Sequence, residues 1–251
     1  MTKAKTSRSR WGLRVILLIA TVVSLMYVPW NHLWARLAPL PDTVQEQVND
    51  AIDHGLDGII VYVDRAGEEP AYYTAGWKNR DTKVPADPQA LFKIASINKL
   101  YIAVAASKAA NEHKLSLDDT LAEHFPELVG RIENAETITL RLMLQHRSGL
   151  PNLTDNPDYP WHDLPKSSRE ALEYALDLPA DFEPDEDYSY SNTNYLLLYE
   201  ALDKVLDQGL YQYIKDEILI PLELNNTFNS LHEADADDLM SGYYVGWEPD
   251  L

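Results

Sequence analysis

The chain has 251 residues, 45% of them hydrophobic, which is length for one large domain or two small ones around a buried core and excludes a mainly disordered protein. Its 40 acidic residues outnumber 21 basic ones for a formal charge of −19, yet six basic residues (Lys3, Lys5, Arg8, Arg10, Arg14 and Arg36) precede the first acid, Asp42. That leaves 15 basic against 40 acidic residues beyond this point, a net of −25, which would repel a phosphate backbone and argues against nucleic acid as a partner. Cysteine is absent, so disulfides, thiolate catalysis and Cys-ligated zinc are excluded too.

Five positive charges between residues 3 and 14 are followed by an uncharged apolar run, Val15 to Val28. This is the pattern of an export signal. Trp11 to Trp30 is long enough for a spanning helix if Arg14 reaches back to the headgroups, with Trp11, Trp30 and Trp34 at the interfaces. No small-x-small cleavage site follows the run, where Pro29, Trp30, His32 and Trp34 stand instead. An uncleaved single-pass anchor is therefore expected over residues 1–41, with residues 42–251 as one domain on the extracytoplasmic, periplasmic side of the membrane.

Beyond a boundary at Pro39, Pro41 and Asp42, Thr43 to His54 fits an amphipathic helix with Val44, Val48, Ala51 and Ile52 on one face. Gly58–Val63 and Ala71–Trp77 are β-rich runs separated by Asp64, Arg65, Gly67 and Pro70, and predict a hairpin. From Ser96 to about Leu231 the pattern is mainly helical. Ser116 to Asp119 fits a capping box, and Thr137 or Thr139 can open a helix containing Leu140, Leu142, Met143 and Leu144. The expected fold is α+β, an antiparallel sheet flanked by a mainly helical region. A two-stranded hairpin is too small to stand as a sheet alone, so the sheet is expected to be incomplete.

Two groups carry chemistry. Ser96 and Lys99 stand at i and i+3 before a good helix former, Leu100 to Ala106, so they share a face. A serine hydroxyl becomes a useful nucleophile only when a neighbouring base takes its proton. Tyr190 and Asn192 precede a second helical run, Tyr195 to Leu206. A phenol can relay a proton, and an amide can orient a carbonyl. Either pair alone is what chance supplies.

Joined in order with their flanks, these segments resemble the serine β-lactamase and penicillin-binding-protein superfamily, and within it the class C β-lactamase-like, D-Ala-D-Ala carboxypeptidase and esterase family. Phe92-Lys-Ile-Ala-Ser-Ile-Asn-Lys99 looks like its nucleophile motif and Tyr190-Ser-Asn192 like its second. Leu115 to Asp119 with Phe125 to Leu128, Ile138 to Pro151, and Ile220 to Thr227 resemble the intervening and following blocks, so the likeness runs from Gly58 to about Thr227. It implies an α/β sandwich of the β-lactamase/transpeptidase type and acyl transfer through an acyl-serine. In that scheme Ser96 attacks a carbonyl, Lys99 helps deprotonate it, Tyr190 shuttles the proton, and Asn192 holds the substrate or the lysine. The partner would be a small-molecule or peptide substrate presenting an amide, ester or β-lactam.

The sequence departs from the family in three respects. Family members continue into further strands bearing a Lys-Thr-Gly or His-x-Gly motif, and no such motif follows Tyr190, so a C-terminally truncated domain needing a complementing C-terminal segment is expected. Its alternative is a catalytically inactive remnant or binding protein of the same fold. Asp185 and Glu223 stand where the family usually has glycine. No cofactor is implied, and the seven histidines lack metal-ligand spacing. His146, in the Ser-Gly-Leu turn, is expected to be structural, and Asp181 to Asp187 to be a solvated loop.

Overall fold

The computed structural model describes residues 4–30, 37 and 39–243. They fall into two compact units, one comprising the described residues up to Ala90 together with Met240–Tyr243, the other Leu91–Leu239.

In the first unit, α1 spans Ala4–Met26. It ends earlier than the sequence suggests. Tyr27 and Val28 leave the helix in a turn ahead of Pro29, whose ring disfavours helical backbone in the residue before it, and the Trp30 indole N–H donates to the Leu25 carbonyl at 2.9 Å. The uncharged part, Val15–Met26, therefore falls short of the ~20 residues a span requires. Among the described residues no helix is long and apolar enough to cross a membrane, which corrects the expectation of a transmembrane helix over Trp11–Trp30. Trp34, the third expected interface residue, lies outside the described residues.

Helix α2, Val44–Asp53, begins as predicted at Thr43, where a capping box with Glu46 satisfies two free N–H groups. Strands β1 (Gly58–Val63) and β2 (Ala71–Asn79) pair antiparallel in register from Gly58↔Gly76 to Val63↔Ala71. Cross-strand Tyr62 and Tyr72 hold their rings 4.9 Å apart. The short β3, Val84–Pro85, adds to β2 across a register shift between Trp77 and Asn79, giving the order β1-β2-β3. The predicted hairpin is thus the larger part of a three-stranded sheet. Two residues around a proline are too few to register as a strand in the sequence pattern. Helix α2 lies on the hairpin, with the Gln45 amide donating to the Thr74 carbonyl at 3.0 Å. Gly76 permits that contact: at φ 72° a Cβ would stand 2.3 Å from the Asp57 carbonyl oxygen and 2.8 Å from Ile52 Cδ1.

The second unit is helical. Its longest helices are α3 (Asn98–Asn111) and α7 (Asn192–Val205), separated by the short α4 (Leu121–His124), α5 (Leu140–Leu144) and α6 (Ser168–Leu172) and followed by α8 (Leu210–Ile214). Ala105, Ala106 and Ala109 of α3 are buried in one core with Leu197, Leu198, Ala201 and Leu202 of α7. Small side chains on one helix and leucines on the other let the two backbones approach closely, and each buried leucine contributes about 1.5–3 kcal/mol. The caps are local. Thr139 accepts from the Leu142 N–H, as predicted for α5. The Ser116–Asp119 box forms its hydrogen bonds in a turn, and the helix starts later, at Thr120 with its own box to Glu123.

Candidate active site

Ser96 follows Ala95, whose φ of 45° holds an L-residue in the left-handed region at a cost of about 1–2 kcal/mol. A 3-10 turn, Ala95–Ile97, then runs directly into α3. The serine thus sits two residues before the helix. The i, i+3 relation survives, and Lys99 Nζ lies 3.3 Å from Ser96 Oγ. Ser96 is exposed and Lys99 half-buried.

Tyr190 arrives from a separate stretch, held by the Ser-Gly-Leu turn. Residues 146–149 run alongside 181–189. The Asp181 N–H donates to the Gly149 carbonyl at 2.9 Å, Asp185 N–H to that of Arg147 at 2.9 Å, and Ser189 N–H to that of His146 at 3.0 Å. Arg147 adds a side-chain tie, with Nε 2.6 Å from Asp185 Oδ1 and a second donor on the Asp185 carbonyl. Gly149 is required here: at φ 75° a Cβ would sit 2.0 Å from the Phe182 carbonyl oxygen. Asp185 and Glu223 have φ of 70° and 57°, which accounts for the family's glycine at both positions.

These elements bring Ser96, Lys99, Tyr190 and Asn192 together. The Tyr190 hydroxyl is 2.8 Å from Ser96 Oγ. Asn192 Oδ1 accepts from Lys99 Nζ at 2.9 Å and from the Tyr190 hydroxyl at 3.3 Å. Burial alone would push the Tyr190 phenol up, but hydrogen bonds from Lys99 and Ser96, together with the Lys99 charge, outweigh it and hold the phenol below its ordinary value. That favours the phenolate next to the serine proton.

Three further residues touch this group without having been singled out as site residues. The Asn192 N–H donates to Asn152 Oδ1 at 2.9 Å, and the Asn192 amide donates to Thr154 Oγ1 at 3.1 Å. This second bond fixes the amide with its oxygen toward Lys99. The third is His146, buried with its ring centroid 4.6 Å from that of Tyr190. Asn152 and Thr154 sit just past the Ser-Gly-Leu-Pro segment, and proximity to that block is the one sequence signal that could have flagged them. Among the described residues no group of three or more His, Asp or Glu side chains is placed to hold a metal ion.

The family model described as Beta-lactamase matches residues 40–250. The chain belongs to the Beta-lactamase family. Protein flp of Staphylococcus aureus (strain MW2) is 28% identical over 226 residues, which cover 84% of this chain and 45% of that protein. The chain thus spans about half the length of the curated relatives it matches. Among solved structures, the D-amino acid amidase from Ochrobactrum anthropi SV3, complexed with L-phenylalanine amide, superposes with a TM-score of 0.71 at 25% identity over 82% of this chain and 58% of that one. The octameric penicillin-binding protein homologue from Pyrococcus abyssi gives 0.64 at 27% over 80% and 47%. The architecture is accordingly the family's α+β fold, helices with a small antiparallel sheet, of serine hydrolases related to amidases and penicillin-binding proteins.

Proposed function

We propose that this chain is a serine hydrolase working through a covalent acyl-serine intermediate on an amide, ester or β-lactam carbonyl. The observation that carries this reading is the contact of Ser96 Oγ with both the Tyr190 hydroxyl and Lys99 Nζ. Tyr190 takes the serine proton as Oγ bonds to the carbonyl carbon. The tetrahedral intermediate then collapses, the bond to the leaving group breaks, and Tyr190 returns the proton to the departing nitrogen or oxygen. In the second half Tyr190 takes a proton from water as its oxygen bonds to the acyl carbon, and the bond from that carbon to Ser96 Oγ then breaks as Tyr190 returns the proton to Oγ, which frees the acid and restores the serine. Lys99 stabilises the phenolate throughout, and Asn192 holds Lys99 in place.

Within the family, the Tyr190-Ser-Asn192 motif supports the class C β-lactamase-like, carboxypeptidase and esterase branch. The amide in the name of the Ochrobactrum relative supports an amide substrate. A location outside the cytoplasm belongs to this reading and is supported by the five basic residues preceding the apolar run Val15–Val28.

The test is incubation of the full chain with a fluorophosphonate probe, followed by peptide mapping of the adduct. The reading expects a single adduct on Ser96 that is absent from Ser96→Ala. An adduct on another serine, or undiminished labelling of Ser96→Ala, overturns it. A chain that takes no adduct supports the alternative, a binding protein of the same fold without turnover.

A further inference from the structure

We propose that His146 is the positioning residue for Tyr190, pressing the phenol toward Ser96 and doing so only as a neutral imidazole. The inference rests on Tyr190 being the proton carrier of the proposed reaction.

The two residues flanking Tyr190 both donate to His146. The Ser189 N–H bonds to its carbonyl at 3.0 Å, and the Ser191 N–H bonds to its ring Nδ1 at 3.1 Å. Tyr190, held between them, lays its ring 4.6 Å from the imidazole with the planes 31° apart. Tyr195 of α7 packs against the same imidazole with centroids 5.1 Å apart, and Tyr188 meets it edge-on at 6.1 Å. The ring is only 8% exposed as a residue. His146 itself holds a φ of 57°, a left-handed conformation that costs free energy and persists only where its surroundings over-determine it. These contacts back one side of the Tyr190 ring, which is otherwise exposed, and set the side from which its hydroxyl meets Ser96 Oγ.

The charge state follows from the same contacts. A backbone N–H can only donate, so Nδ1 must be the accepting nitrogen and the ring proton resides on Nε2. Protonating Nδ1 would set a donor against the Ser191 N–H and break that bond. It would also place a second cation near Lys99. The titratable groups facing the imidazole are Lys99 from α3, Tyr188 and Tyr190 from the approach to α7, and Tyr195 within it. Burial first, and the Lys99 charge second, hold the imidazole below its ordinary value, so it stays neutral at neutral pH. As pH falls through its titration, the ring nitrogen that anchors Ser191 is lost and Tyr190 is freed from one side.

A purely structural histidine would affect folding and nothing else. The test therefore follows two readouts on the full chain. The first is the rate at which a fluorophosphonate labels Ser96 between about pH 4.5 and 9, a range that brackets the ordinary histidine value. In this step the Oγ–P bond forms, the P–F bond breaks, fluoride leaves, and the serine proton passes to Tyr190. His146→Ala is expected to label at least about tenfold more slowly at pH 7.5, less than the ~10²–10⁴-fold that general-base catalysis contributes, because Tyr190 is displaced rather than removed. His146→Gln, whose amide oxygen can accept from Ser191, is expected to recover most of the rate and to lose the acid-side inflection due to the imidazole. The second readout is the Tyr190 phenol titration by ultraviolet difference absorbance, with Tyr190→Phe as the blank. Its midpoint should rise toward that of an ordinary tyrosine in His146→Ala and stay near the wild-type value in His146→Gln.

Wild-type rates and inflections in both variants, with an unmoved phenol midpoint, overturn the inference. If the wild-type chain is not labelled at Ser96, the hydrolase reading falls, and the phenol titration alone decides the role of His146. If His146→Ala does not fold, His146→Gln decides, and an acid inflection unchanged in that variant overturns the proposal.

Discussion

The Tyr190 hydroxyl lies 2.8 Å from Ser96 Oγ, whereas Lys99 Nζ lies 3.3 Å from it. The shorter contact belongs to the group whose proton affinity is lowered, and the longer one to the cation that lowers it. The proposed reaction uses this difference, with the phenol as the group that receives the proton and Lys99 as the charge that favours its phenolate.

Removing Lys99 should therefore move the pH profile rather than only lower it. In Lys99→Met the Tyr190 phenol loses two of its lowering influences and keeps burial, which raises it. The limb of Ser96 labelling that the Tyr190 phenol sets, distinct from the inflection of the His146 imidazole, is expected to shift alkaline, so that the rate recovers in part above pH ~9, as phenol titration approaches its ordinary value near 10. A rate–pH series on both proteins measures this. An unshifted limb would mean that a group other than Tyr190 sets it.

Thr154 acts on the site through Asn192. In Thr154→Val the acceptor for the Asn192 amide nitrogen is lost, the amide is free to turn, and its NH2 can face Lys99. Ser96 labelling is expected to drop by about tenfold, equivalent to a lost hydrogen bond to a charged group of roughly 1.5 kcal/mol. Thr154→Ser should keep the wild-type rate. A loss in Thr154→Ser with none in Thr154→Val would point to packing of the methyl group instead.

Gly149→Ala is expected to be among the most damaging substitutions outside the proposed catalytic group. The new methyl carbon meets the Phe182 carbonyl at 2.0 Å, and the backbone is left-handed. Together these should cost about 2–4 kcal/mol, visible as a lower urea midpoint. Labelling should fall even in the folded fraction, because the Phe182 segment that must retreat leads to Tyr190.

The two left-handed acidic residues should respond differently. Glu223→Gly relieves backbone strain, and a gain of about 1 kcal/mol is expected. Asp185→Gly relieves the same strain but gives up the side-chain half of the Arg147 clamp, so little net change is expected. Thermal melts of the two single variants make the comparison.

Much of this molecule is visible in its sequence. The β-rich runs Gly58–Val63 and Ala71–Trp77, the amphipathic spacing from Thr43 to His54 and the Thr139 cap each encode their element within a few residues, and all four stand in the structure. The site was legible as family spacing at Ser96, Lys99, Tyr190 and Asn192. Thr154 and Asn152 were not, since their contacts with Asn192 cross 38 and 40 residues of chain and leave no local period. The end of α1 was misread because hydropathy continues to Val28 although the backbone turns at Tyr27.

The Ser96–Tyr190 contact closes a separation of 94 residues. Helices α3 and α7 can each acquire their backbone hydrogen bonds locally, whereas the reactive centre exists only once that long loop is closed and the Gly149 turn has seated the segment before Tyr190. Helix content is consequently a poor gauge of a competent molecule: on gentle denaturation, reactivity of the serine should disappear while most of the circular dichroism signal remains.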